Sequence, residues 1–227
     1  MKRSEINAYI SRAEEWIRER GVFLPSFAYW TPEDWRRKGH EYDEIRANML
    51  GWDVTDYGLG DFAKTGLLLF TIRNGNLKDP RFAKAYAEKM LVCEAGQLSP
   101  NHFHWYKSED IINRGGGELM MQLWASEEGD SLSDKPVRVR VDGRALELPA
   151  GSVLRLTPGE SVTLSPRLYH AFWAEKERVL AWEVSMTNDD NTDNRFYEPI
   201  GRFPEIEEDE APLYLLVNDY DRYYKPA

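Results

Sequence analysis

The sequence predicts a mainly β protein, a closed or sandwiched barrel of short strands with a layer of helices at its N-terminal end. Three observations carry that reading. From about residue 84 onward, short runs of period-two character alternate with Gly, Pro, Asn and Asp clusters, the pattern of evenly spaced strands joined by turns. One stretch, "VRVRVDGRALEL", sets two alternating runs on either side of an Asp-Gly pair, the strongest short-range hairpin signal. The first fifty residues instead repeat apolar side chains every three or four positions, the period of a helix face. No flexible linker separates the two characters. The expectation is one domain over 1–227, with helices over 1–50 packed on a barrel and C-terminal segment over 60–227, and 227 residues are enough for a real core.

In "SEINAYISRAEEWIRERG", Ile6, Tyr9, Ile10, Ala13, Trp16 and Ile17 form one apolar stripe. Ser4 is the expected cap at its start and Gly21 the expected stop. In "TPEDWRRKG", Thr31 stands as N-cap before Pro32 at the first helical position, with Gly39 as the stop. A third helix is expected in "YDEIRANML". The run "GLLLFTIRNG" then reads as a strand closed by an Asn-Gly turn. Further strands are expected in "KMLVCEAG", "ELMMQLWAS", "GSVLRLTPG" and "RVLAWEVSM".

Composition narrows the function classes. The 39 acidic residues outnumber the 29 basic ones, for a net charge of −10, which argues against nucleic acid as a partner because that binding rests on neutralising phosphates. No apolar run approaches the length needed to span a membrane and no leader-like opening is seen, so a cytoplasmic protein without membrane contact is expected. The single cysteine, Cys93, cannot form an intramolecular disulfide and sits among Met90, Leu91 and Val92 as a small buried hydrophobe. Aromatic residues make up 13% of the chain; they suit a β core or a carbohydrate-stacking cleft.

The chemistry concentrates in "PNHFHWYKSED", which holds two of the chain's four histidines. On a strand, His102 and His104 project to one face and Phe103 to the other, so the two imidazoles can meet one metal ion. Glu109 lies at an odd offset from both. It can join them only if the chain bends between Tyr106 and Ser108. His40 lies among Arg37, Lys38, Glu41 and Asp43 and reads as solvated; His170, in "SPRLYHAFW", falls at a strand position flanked by aromatics.

Gly96, His102, His104, Glu109 and Gly116 spell G-x5-H-x-H-x4-E-x6-G, which resembles the first motif of the cupin superfamily at every position. The resemblance implies a small, jelly-roll-like β-barrel in which His102, His104 and Glu109 are metal ligands. It also implies a fourth ligand, His170, from a second motif that keeps its register from Gly159. Ser165 and Arg167 stand there where the pattern has Pro and Gly, and Ala174 replaces its closing Asn.

The runs "NHFHWYKSEDIINRGGGEL", "NGNLKDPRFAKAYAEK" and "IGRFPEIEEDE" resemble the D-lyxose isomerase family, cupin sugar isomerases of about this length, along nearly the whole chain. That resemblance implies interconversion of an aldose and a ketose, D-lyxose with D-xylulose and D-mannose with D-fructose, by metal-assisted proton transfer through an enediolate. The mixed nitrogen and oxygen ligand set suits Mn²⁺, with Fe²⁺, Co²⁺ or Zn²⁺ as alternatives. A general base must reach the C1 and C2 protons. By resemblance it comes from "RFPEIEED", with Glu205 favoured and Glu207 second. Lys107 is expected to donate to a sugar oxygen or to stabilise the enediolate. Arg202, Asp193 and Glu118 are expected to hold the sugar, with Arg195 and Gln122 behind them. A homodimer is expected because cupin barrels commonly pair. Two other classes stay open on sequence alone: a mononuclear iron dioxygenase using the same ligands, and a sugar-binding cupin without turnover.

Overall fold

Leu119, Met121 and Leu123 are fully buried, while Met120, Gln122 and Trp124 between them are not. That alternation, repeated from strand to strand, turns one face of each sheet inward. The computed structural model describes residues 1–226 and contains two antiparallel sheets facing each other. The larger comprises β1 (Gly51–Thr55), β2 (Leu67–Arg73), β3 (Tyr86–Cys93), β5 (Glu109–Gly116), β7 (Val137–Val141), β8 (Arg144–Leu148), β10 (Ser161–Leu164) and β12 (Val179–Met186), in the order β1-β2-β3-β12-β5-β10-β7-β8. The smaller comprises β4 (Leu98–His104), β6 (Leu119–Ala125), β9 (Val153–Leu156), β11 (Leu168–Ala174) and β13 (Asn194–Phe196), in the order β13-β4-β11-β6-β9. Their inner faces enclose a core that includes Leu91, Ile111, Leu119, Met121, Leu123 and Val162. This is the expected cupin-type barrel.

The "VRVRVDGRALEL" hairpin forms as β7 and β8, with Asp142 (φ 49) and Gly143 (φ 82) supplying the two left-handed residues its turn needs. Arg167, standing where the resembled motif has Gly, also takes φ 63. Its side chain offsets that strain: the guanidinium pairs with Asp130 at 3.0 Å and lies over the rings of Phe103 and Trp105.

The helices cover the outer face of the larger sheet. In α1 (Arg3–Glu19), Ile6, Ile10, Ala13 and Ile17 pack against Leu68, Phe70, Met90 and Val92. Ser4 does not cap this helix: it lies inside the first turn, and its hydroxyl donates to Asp209 at 2.7 Å. Thr31 does cap α2 (Pro32–Trp35), accepting from the Asp34 amide at 3.2 Å. This helix ends well before Gly39, and α3 (Asp43–Ala47) is equally short. Trp35 packs on Tyr220 of α4 (Tyr220–Tyr223) and on Tyr224. Among the described residues, no helix is long and apolar enough to cross a membrane.

Two features of the C-terminal third position the site. Residues 187–203 leave β12 and run beside the smaller sheet, where β13 pairs with β4. Beyond them the acidic run turns back to the start of the chain. The Arg3 amide donates to the Glu207 carbonyl at 2.8 Å, and the buried Arg3 guanidinium bonds both Glu208 and Asp219.

Candidate metal centre

β4 and β11 pair with His102 directly opposite His170, and His104 follows His102 on the same face. The ligating atoms of the three histidines all lie within 4.8 Å of one another. Phe103 faces away and is buried against Trp105 and Tyr169. Glu109 arrives from the opposite sheet. The chain bends over 105–108, where the Asp193 carboxylate accepts from the amides of Tyr106 (2.9 Å) and Lys107 (3.2 Å). The bend supplies what the sequence spacing demanded. It starts β5 on Glu109, whose Oε1 stands 3.4 Å from His104 Nε2 and 3.2 Å from His170 Nε2.

The hydrogen bonds behind the rings fix their tautomers. Nδ1 faces a backbone carbonyl in each case: Pro100 at 2.7 Å from His102, Asp193 at 3.3 Å from His104 and Leu168 at 3.0 Å from His170. A carbonyl only accepts, so each Nδ1 carries the proton and each Nε2 presents a lone pair. Burial, reinforced by the neighbouring imidazoles, holds His102 well below the ordinary value. Burial also brings His170 down to about 4, against the pull of Glu109. The lone pair of His170 Nε2 therefore faces a carboxylate oxygen at contact distance with no proton between them. Such an arrangement of donor atoms fits a divalent cation.

From Glu109 a line of buried charges of alternating sign leads away from the histidines. Lys107 Nζ lies 2.8 Å from Glu109 and 2.7 Å from Glu183. Lys89, the register partner of Glu183 across β3 and β12, lies 3.5 Å from Glu183 and 3.7 Å from Asp190. Arg202 lies 3.4 Å from Asp190 and 2.6 Å from Asp53. Burial alone would raise the Glu183 carboxyl, but Lys107 and Lys89 outweigh it and hold the group below its ordinary value. Burial likewise opposes ionisation of Asp190, and Arg202, Lys89 and Lys107 overcome it. Lys107 in turn is kept charged against burial by Glu109 and Glu183. All but Asp53 of these charged groups line one cavity with the three histidines, and Tyr57, Ser99, Asn194 and Phe196 complete its polar and aromatic wall.

The sequence expectations divide on this geometry. His102, His104, Glu109, His170, Lys107 and Arg202 all line the cavity. Glu205 and Glu207 do not: both are exposed, on the segment that pairs with residues 1–3. Glu118 is also outside. Strand parity turns its neighbour Leu119 inward and leaves Glu118 half-exposed, paired with Arg155 at 3.0 Å, while Gln122 faces outward and donates to the Gly151 carbonyl. Asp193 is buried but spends its carboxylate on the 105–108 bend, so it shapes the site without lining it. Arg195 pairs with Asp130 instead. His40 is exposed as expected, within 2.9 Å of Asp43.

Sequence reasoning missed Glu183, Asp190, Lys89 and Asp53. A signal for three of them was present. Glu183 in "LAWEVSM", Lys89 in "AEKMLV" and Asp53 in "GWDVT" are single charges inside apolar strands, and each is buried.

Fold and site together define a cupin-type barrel with a metal-capable cluster of three histidines and a glutamate. The model of the family described as D-lyxose isomerase matches residues 1–220. The chain is 45% identical over 226 residues to the D-lyxose/D-mannose isomerase of Serratia proteamaculans, covering 98% of this chain and 99% of that protein. It is 44% identical over 226 residues to the D-lyxose/D-mannose isomerase of Escherichia coli O157:H7, covering 98% and 100%. In fold it resembles the L-ribose isomerase of Acinetobacter sp. DL28 in complex with L-ribose, with a TM-score of 0.62 at 16% identity over 91% of this chain and 98% of that one. The chain belongs to the D-lyxose isomerase family, and it is a sugar isomerase.

Proposed function

We propose that this enzyme interconverts D-lyxose with D-xylulose and D-mannose with D-fructose, using one divalent metal held by His102, His104, Glu109 and His170. Mn²⁺ is the first choice for an N/O ligand set that must leave places for sugar oxygens. When bound, the cation supplies Lewis acidity that polarises the substrate carbonyl. Its fit rests on three histidines whose ligating atoms converge, two of them facing Glu109 Oε1.

The observation that carries the reaction is Glu183, a buried carboxylate in the same cavity, kept ionised by two lysines. An aldose becomes a ketose when the C2 proton is removed and returned at C1, while the O2 hydroxyl proton passes in the same sense to O1. Glu183 is the base for the carbon-bound proton. Its low proton affinity is raised as negative charge spreads over the sugar, and Lys107, 2.7 Å away, stabilises that enediolate charge. Asp190 and Arg202 bind hydroxyls at the end of the cavity remote from the histidines. The apolar wall of Leu67, Leu69, Leu91, Phe172 and Phe196 keeps water from the reacting carbons. A homodimer of single cupin domains in the cytoplasm is part of the same proposal.

The test is ketose formation from D-lyxose and D-mannose by protein stripped with a chelator and then resupplied with Mn²⁺, under nitrogen. Turnover that needs the metal and no oxygen is expected. Absence of ketose with metal bound, or consumption of oxygen when air is admitted, would overturn the proposal.

A further inference from the structure

Arg202 reaches the cavity from a stretch of chain outside any helix or strand. What holds it there is β1 and the residues that follow it. Asp53 Oδ2 accepts from Arg202 Nη2 at 2.6 Å, the Thr55 hydroxyl donates to the Arg202 carbonyl at 2.7 Å, and the Tyr57 carbonyl accepts from the Gly201 amide at 3.2 Å. Asp53 and Thr55 share one strand face, so a single edge grips both the backbone and the side-chain head of Arg202. The same Nη2 also stands 3.4 Å from Asp190, while Nη1, fully buried, has no hydrogen-bond partner among the described residues. A buried guanidinium nitrogen left unpaired is costly unless a ligand completes it.

We propose that Asp53 is a positioning residue for sugar recognition. Held by Asp53, the guanidinium cannot rotate to form a two-pronged pair with Asp190. Nη1 thereby stays available for an oxygen at the end of the sugar remote from the isomerising carbons, and Asp190 keeps acceptor capacity for a hydroxyl. Without Asp53, Arg202 and Asp190 would neutralise each other and withdraw both groups from the substrate. Asp53 acts through Arg202 and does not touch the sugar. The inference rests on the isomerase reading above and adds a residue to its specificity apparatus.

The experiment is steady-state kinetics with D-mannose on the Mn²⁺-loaded enzyme, for Asp53→Ala, Arg202→Ala and the double variant. Asp53→Ala should raise KM about tenfold or more, as expected for losing one charge-assisted contact, with kcat falling by less than about threefold. Arg202→Ala should raise KM at least as much, and adding Asp53→Ala to it should raise KM no further. A purely structural role would lower the active fraction, and hence kcat, at constant KM. The isosteric Thr55→Val loosens the other half of the grip without burying a charge, and should raise KM about threefold; it carries the test if Asp53→Ala fails to fold. The inference is overturned if neither variant raises KM, or if Asp53→Ala raises it equally with and without Arg202. An unchanged KM in Arg202→Ala would instead remove the sugar contact from the proposed function, and absence of turnover in the parent enzyme would remove that function itself.

Discussion

Replacing Glu183 by Gln gives the most direct measure of the proposed chemistry. The substitution preserves shape and removes only the charge and the proton affinity of the carboxylate. Catalysis should fall by about 10²- to 10⁴-fold in kcat, the ordinary contribution of a positioned general base, equivalent to roughly 3–5 kcal/mol in barrier height. The structure also bounds the damage to stability. Glu183 Oε1 accepts from Lys107 at 2.7 Å and from Ser185 at 3.1 Å. Lys107 keeps Glu109 at 2.8 Å and Asn188 at 3.0 Å, and Lys89 keeps Asp190 at 3.7 Å. Neither ammonium group is orphaned, so the loss is the short charge-assisted contact to Lys107 and a weaker one to Lys89 at 3.5 Å, about 1.5–3 kcal/mol. In a chain of this size that lowers Tm by about 3–12 °C. Ketose formation at saturating D-mannose, metal content by elemental analysis and thermal unfolding together isolate the effect. Glu205→Gln, on the exposed segment beside residues 1–3, should change kcat by less than about twofold. A Glu183→Gln enzyme with full metal and a rate within tenfold of the parent would refute the assignment, as would a collapse in Glu205→Gln.

Three further outcomes are expected. His170→Ala removes one of the converging Nε2 donors, so metal content after dialysis should fall together with activity; full occupancy measured by elemental analysis would contradict the ligand set. Lys107→Met leaves Glu109 and Glu183 buried without the cation between them, which should cost about 3–5 kcal/mol in chemical denaturation. The Arg3 hydrogen bond is the largest influence holding Glu208 below its ordinary value. Its contribution to stability is present above the ordinary carboxylate pKa of about 4 and is lost as pH falls through the lower folded value. The gap between the denaturation midpoints of parent and Arg3→Met should therefore narrow below about pH 4, and a gap that stays constant into acid would refute the linkage.

The spacing of His102, His104 and Glu109 and the register of His170 were legible because neighbours on one strand, and motif positions on adjacent strands, obey local periodicity. The same is true of the Asp142-Gly143 hairpin and of the α1 stripe, where period alone decides which side is buried. The carboxylates other than Glu109 were not legible in this way. Glu205 and Glu207 look like a site in one dimension, but their segment is claimed by residues 1–3, about two hundred positions away in the chain. Glu183 sits in an apolar strand whose inward face becomes meaningful only when β12 lies between β3 and β5. Closing the barrel brings Lys107, Lys89, Asp190, Arg202 and Asp53 within reach of one another, and the low dielectric there makes each charge depend on the next. Sequence by itself determined many of the strands, the family and the metal-capable residues, all properties of local pattern. Tertiary structure alone decided which further acids face the cavity, because burying a charge is tolerable only where distant parts of the chain supply its partner.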